Sequence, residues 1–308
     1  MTDQLQKFLF QHAPVRGEFV ELTDVWQQIQ SHHTYPLPVT RLLGEMIAAA
    51  VLLSGNIKFD GSLIMQVKGD GPVRLLVVEC DASLNIRATA KLEPDAEIQD
   101  TESFRSLIHA HGKGRFVITL DPHDKVPGQQ PYQGIVSLEG HSLSGVIENY
   151  MKQSEQLDTR LWLAADAHVI RGLLLQKMPL SGETGEPDEK GNKPENAWEH
   201  ILTLASTLKP DEMLETGIDT LRHRLFWEEE LLVFDSRPLD FRCTCSREKV
   251  GNMLKMLGKE EVEQALREQG ALEINCDFCG QSYRFDAVDS GALFTEPNTS
   301  TPEKPFRH

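Results

Sequence analysis

Phe241–Asp286 reads FRCTCSREKVGNMLKMLGKEEVEQALREQGALEINCDFCGQSYRFD and carries four of the five cysteines in the chain. They form a C-x-C pair, Cys243 and Cys245, and a C-x-x-C pair, Cys276 and Cys279, with thirty residues between the pairs. Two short-range pairs joined by a longer insert are how a chain offers four thiolates to one tetrahedral zinc ion. Gly280 follows Cys279 directly, where a turn needs a residue without a side chain so that backbone N–H groups can face sulfur. EIN before the second pair and SYRF after it predict the arms of a hairpin.

The insert predicts two helices. Ser246 caps the first, over Arg247–Leu257, which stops at Gly258 and places Val250, Leu254 and Leu257 on one face. The second, over Glu260–Glu268, turns Val262, Ala265 and Leu266 inward and ends at Gly270. The product is a compact zinc module. Its metal reads two ways. Four-cysteine sites are commonly structural only. A C-x-C pair, however, is tighter than the usual spacing of about two to four residues, and it leaves two thiolates ready to join once the metal is gone. Thiolate is also the form that peroxide attacks. A thioredoxin-like role for the C-x-x-C pair fits poorly. That motif needs a helix N-terminus at its first cysteine, and here strands flank it.

The 308 residues suit two domains or so, and 40% hydrophobic with 25% charged residues is ordinary soluble composition. A formal charge of −16 opposes phosphate backbones and anionic membrane surfaces, so neither nucleic acid nor membrane is an expected partner. MTDQLQKFLF has no cationic start before a long apolar run, hence no visible signal peptide, and the apolar run Met46–Leu53 is short for a membrane span. An odd cysteine count with metal-type spacing points to the reducing cytoplasm.

Towards the N-terminus, Val39–Ser54 predicts a buried helix with Thr40 as its cap and Gly55 at its end. Strands over Ser62–Lys68, Val73–Glu79 and Asn85–Lys91 then form an antiparallel meander packed on it. Cys80 ends the second of them as a small buried hydrophobe. Further strands are expected over Arg115–Leu120, Gln133–Leu138, Arg160–Asp166 and Val169–Lys177, with a helix over Ser142–Glu155. The fold class is therefore α+β, and no nucleophile–base pair marks an enzyme.

Leu180–Pro194 is a polar linker rich in Gly, Pro and Glu. From Glu195 to Glu230 helical patterns follow, with Trp198, Ile201, Leu202, Ala205 and Leu208, then Leu221, Leu225 and Phe226, broken by Pro210 and Gly217. Between Pro179 and Glu230 thirteen acidic and five basic residues give net −8, half the charge of the chain. Helices this short depend on docking. The segment reads either as a helical spacer or as a metastable piece whose apolar stripes become available when its support fails. That support is expected to be the zinc module.

Over nearly its full length the chain resembles the redox-regulated bacterial holdase chaperones of the 33 kDa chaperonin (heat-shock protein 33) family. The matching stretches are RLLGEMIAAAVLLSG with IKFDG, QVKGDGPVRLLVVE, the Tyr150–Gln156 segment with Thr159, GLLLQKMP, FRCTCSRE and CDFCG. Asp158 departs from a usual proline, and Arg171 interrupts a usual Gly-Gly.

The composition of residues 289–308 reads as a mostly disordered tail. The resemblance implies three parts, an N-terminal α/β scaffold (1–179) for client binding and dimerisation, an acidic helical linker (180–231) and a zinc-binding redox switch (232–288). It implies one Zn2+ per chain, held by Cys243, Cys245, Cys276 and Cys279 in the reduced, inactive form. Oxidation pairs Cys243 with Cys245 and Cys276 with Cys279, releases zinc, unfolds switch and linker, and favours a homodimer. The active form holds unfolded clients without ATP and passes them to ATP-dependent foldase chaperones. Client contacts would involve Trp198, Ile201, Leu202, Leu221, Leu225, Phe226 and Trp227. Two readings compete with it: a zinc-ribbon nucleic-acid or ribosome-associated binder, which the charge opposes, and a thiol–disulfide oxidoreductase.

Overall fold

The computed structural model describes residues 3–56, 60–124, 131–179 and 194–295. The chain divides into two compact units, Met1–Arg242 and Cys243–His308.

The first unit opens with strands β1 (Gln4–Phe10) and β2 (Val15–Leu22), then helices α1 (Asp24–Ser31) and α2 (Leu37–Ser54). The meander follows as β3 (Gly61–Lys68), β4 (Val73–Asp81) and β5 (Asn85–Leu92). After it come α3 (Phe104–Ile108), β6 (Arg115–Pro122), β7 (Tyr132–Val136), α4 (Leu143–Gln153), β8 (Thr159–Ala165) and β9 (Ile170–Lys177). Helices α5 (Pro194–Ala205), α6 (Pro210–Glu215) and α7 (Ile218–Phe226) lead to three short strands, β10 (Leu231–Val233), β11 (Arg237–Pro238) and β12 (Asp240–Phe241).

Two sheets share this unit. One runs β10-β1-β2-β9-β8, with β11 also on β1; the other runs β12-β5-β4-β3-β6-β7. Helix α2 is buried with residues of both in one core, which takes Leu5, Val20 and Leu22 from the first sheet and Leu63, Met65 and Val67 from the second. Its close approach to β8 and β9 needs Gly44, where a Cβ would lie 2.4 Å from that of Ala165. By length and composition α2 would also pass for a membrane span, but it is mostly buried, as the core helix of this unit. It starts at Leu37 after Pro36, not at Thr40, whose hydroxyl bonds back to the carbonyls of Tyr35 and Pro36.

Helices α5–α7 cover a second apolar layer of the first sheet. Strand residues alternate between faces, so Phe8, Phe10, Phe19, Leu173 and Leu175 form another core with Trp198, Ile201, Ala205, Leu208, Leu221, Leu225 and Phe226. Phe226 sits edge-on to Phe10 at 5.1 Å between ring centroids. The expected support for these helices was the zinc module. The support found is this sheet, because β2 and β9 are buried on both faces and require cover on both.

Arg171 tightens that attachment. It is buried on β9, ion-paired with buried Glu21, and donates to the carbonyls of Met213 and Leu214 in α6. Residues 231–241 then pair with both sheets, β10 and β11 with β1 and β12 with β5. The expected switch begins at 232, whereas these strands belong to the first unit. The expected polar linker falls largely at 180–193, outside the described residues.

The second unit contains α8 (Arg247–Leu257), α9 (Lys259–Gln269), the hairpin β13 (Leu272–Asn275) and β14 (Ser282–Phe285), and α10 (Ala287–Thr295). Among the described residues its buried apolar side chains are Leu254, Val262, Leu266 and Phe285, with Val250, Leu272, Ile274, Tyr283, Leu293 and Phe294 partly buried around them. Helix α10 corrects the expectation of a disordered tail from 289. Asp286 caps it by accepting from the N–H groups of Val288 and Asp289, and Leu293 packs over Gly251. The rest of that tail, 296–308, lies outside the described residues.

Candidate metal centre

Each cysteine is positioned by simple local structure. Cys243 and Cys245 lie in the short segment between β12 and α8. Ser246 ends that segment by capping α8, its Oγ accepting from the Lys249 N–H at 3.2 Å. Lys249 also donates to the carbonyl of Thr244 at 2.8 Å, closing the turn beside the C-x-C pair.

Cys276 and Cys279 sit in the turn of the β13–β14 hairpin. The Cys276 N–H donates to Gln281 O at 2.9 Å, and the Gly280 N–H to Cys276 O at 2.8 Å. Gly280 has φ +69°, the left-handed region that favours glycine. The hairpin and the helix start are joined by Arg247. Its guanidinium lies 4.3 Å from the Phe285 ring centroid, donates to Arg284 O at 2.7 Å and pairs with Asp289 at 2.8 Å.

These elements bring all four sulfurs within 4.8 Å of one another. Cys243 Sγ lies 3.6 Å from Cys276 Sγ, and Cys245 Sγ 3.4 Å from Cys279 Sγ. With Zn–S bonds of about 2.3 Å, a tetrahedron has edges of about 3.8 Å. The donor set and its spacing thus fit one tetrahedral ion, zinc among them. The sequence named every one of these four residues.

It did not single out Tyr283, whose hydroxyl donates to Cys245 Sγ at 3.1 Å. The only signal was its place on β14, opposite Ile274 and two residues before buried Phe285. Partial burial pushes the Cys245 thiol up, but hydrogen bonds from Tyr283 and the neighbouring thiols outweigh it and bring the group to about 7. Burial, with those thiol neighbours, pushes Cys279 up to about 12. Tyr283 itself rises to about 12 through its bond to Cys245. Cys245 therefore ionises first, while burial holds Cys243 and Cys279 protonated until a cation shares their charge.

The remaining expected site residues lie in the first unit. Trp198, Ile201, Leu221, Leu225 and Phe226 are buried, Leu202 is partly buried, and only Trp227 is exposed. Cys80 is fully buried in the core, its thiol pushed up to about 12 by that burial.

Comparison with known proteins covers nearly the whole chain. A family model described as Hsp33 protein matches residues 3–286. The 33 kDa chaperonin of Methylobacillus flagellatus is 47% identical over 96% of this chain and 95% of its own length. That of Pseudomonas savastanoi pv. phaseolicola is 44% identical over 98% and 96%. A crystal structure of the 33 kDa chaperonin (heat shock protein 33 homolog) from Thermotoga maritima superposes with a TM-score of 0.75. It shares 21% identity and covers 94% of this chain and 97% of its own, a likeness of fold.

Proposed function

Since the chain belongs to the Hsp33 family of chaperones, we propose that it is an ATP-independent holdase kept inactive by a metal on its four thiolates and switched on by their oxidation. The observation that carries this reading is the clustering of four sulfurs in a unit with so little buried core. Bound there, zinc would join hairpin to helix start and supply folding free energy, an apparent ~10–16 kcal/mol in small peptides.

In this reading Cys243 joins Cys245 and Cys276 joins Cys279. Each pair of thiolates gives two electrons to one molecule of peroxide, which takes two protons from solvent and leaves as two waters. No thiolate then remains to ligate. Each new disulfide links near neighbours and constrains little chain. A domain this small rarely folds without a staple, so the switch unfolds.

The linker is the second element. When α5–α7 leave the first sheet they bare two apolar surfaces together. One is their own stripe, Trp198, Ile201, Leu202, Leu221, Leu225 and Phe226 beside Trp227. The other is the sheet face of Phe8, Phe10, Phe19, Leu173 and Leu175. Both would bind unfolded clients, later handed to ATP-dependent foldases. The oxidised form is read as a homodimer in the cytoplasm, with no catalysis of its own. The division into scaffold (1–179), linker (180–231) and switch (232–288) is kept as a functional one.

Light scattering from an aggregating client tests this directly, with the protein first reduced and zinc-loaded and then peroxide-treated at mild heat. Protection only after oxidation is expected. Equal protection in both states sinks the switch, and none in either sinks the chaperone.

A further inference from the structure

The two edges of the first sheet are finished differently. At β8 the outward Leu161 N–H donates to the Glu148 carboxylate at 2.8 Å, and Arg160 pairs with the same side chain at 2.7 Å. That edge is blocked, as sheet edges generally are. At the other end lies β10. The Phe234 N–H donates to Lys7 O, and the Gln11 N–H to Glu230 O. Residues 230, 232 and 234 therefore bond towards β1, and the N–H and C=O groups of Leu231 and Val233 point away from it. Among the described residues no bond is recorded to those outward groups. The side chains there are apolar and exposed: Leu232 49%, Val233 38%, Phe234 44%, with Trp227 nearby in sequence at 69%.

We propose that the free edge of β10 is a strand-addition site for an extended polypeptide segment with an apolar centre and basic flanks. The backbone of Leu231 and Val233 supplies a ladder, the exposed side chains supply apolar contact, and charge selects the occupant. Glu228, Glu229 and Glu230 precede the strand and Asp235 follows it. Glu229 and Glu230 face His200 and His12, while Glu228 and Asp235 are exposed. A second copy of the chain joined antiparallel through the same edge would set Asp235 of each against the acidic run of the other, which like-charge repulsion disfavours. Lysine or arginine on either side of an apolar segment meets the opposite sign. The class of occupant rests on the holdase reading, but the edge belongs to the first unit and does not depend on the thiols. Binding of a short peptide is therefore expected in both redox states.

The test uses the full chain, reduced and zinc-loaded, and a short fluorescein-labelled peptide of valine, isoleucine and phenylalanine flanked by lysines, followed by anisotropy. The Val233→Pro variant removes an outward donor that no bond among the described residues uses. It should weaken binding about fivefold or more with the circular dichroism and melting of the wild type. Glu228→Lys with Asp235→Lys, which leaves the backbone intact, should weaken it too and flatten its salt dependence. Equal affinity of wild type and Val233→Pro, or of acid-flanked and lysine-flanked peptides, overturns the proposal. So does a self-associated wild type that Val233→Pro splits without any change in peptide affinity. A wild type that suppresses aggregation after oxidation yet ignores the peptide refutes this surface alone. Peptide binding without any suppression of aggregation refutes the holdase and leaves the surface standing.

Discussion

The first unit fills two cores from both its sheets and from the helices packed on them. Among the described residues the second has four buried apolar side chains, Leu254, Val262, Leu266 and Phe285. A unit of this size has a thin core, and domains this small commonly need a metal or another staple. It has instead a four-sulfur centre binding hairpin to helix start. One chain thus holds a part stabilised by burial and a part whose small core is accompanied by a cluster of four thiols.

Removing the metal under reducing conditions should break the contrast most visibly. With an apparent ~10–16 kcal/mol at stake, residues 243–295 should lose amide protection in hydrogen exchange while α2 and the meander keep theirs. Protection retained in the C-terminal unit would mean that its small core suffices.

Next in size is Arg171→Ala. It leaves Glu21 buried without its partner and frees the carbonyls of Met213 and Leu214. Losing one member of a buried pair costs about 3–5 kcal/mol. Exchange over 210–226 should rise, and aggregation suppression should need less oxidant. A pairwise replacement, Arg171→Met with Glu21→Gln, should recover much of the loss.

A smaller effect separates the units by pH. Burial raises the Glu18 carboxyl from 4.5 to about 7, with Lys7 opposing. The folded state then binds this proton more tightly than the unfolded one. This group's contribution to stability therefore falls as pH rises from about 4.5 to 7, by at most about 3 kcal/mol. Glu18→Gln should flatten that slope in thermal melts of the first unit. The C-terminal unit should show the opposite sign, since acid protonates the thiolates that bind metal.

Smallest is Tyr283→Phe, which removes one hydrogen bond to Cys245. It should leave metal stoichiometry unchanged and alter the rate of thiol oxidation, read by alkylation of free thiols.

The sequence was most legible where signals are local. Ser246, Gly258 and the apolar spacing between them define α8 to the residue, and the cysteine spacing identifies the centre. The meander was readable because β3 and β5 alternate and β4 between them is an apolar run bounded by turns. Strands β1 and β2 gave no such pattern, because β2 is buried on both faces and its run VRGEFVEL mixes charge with apolar residues. Glu18 and Glu21 are themselves buried, which composition alone argues against. The partner of the linker helices was equally hidden. Their apolar stripes said that they dock, but not on what. The role of Arg171 needed the chain folded, since its contacts in α6 lie more than forty residues away.

The linker has both ends sewn into one sheet, at β9 before it and β10 after it. If its helices come off, what is released is a noose rather than a loose arm, roughly fifty residues around and able to reach up to about 90 Å from its roots. The entropy of closing that ring is already lost before any client arrives. Drawing it shut again needs no search by diffusion, so a captured protein can be let go by the same slack being taken in.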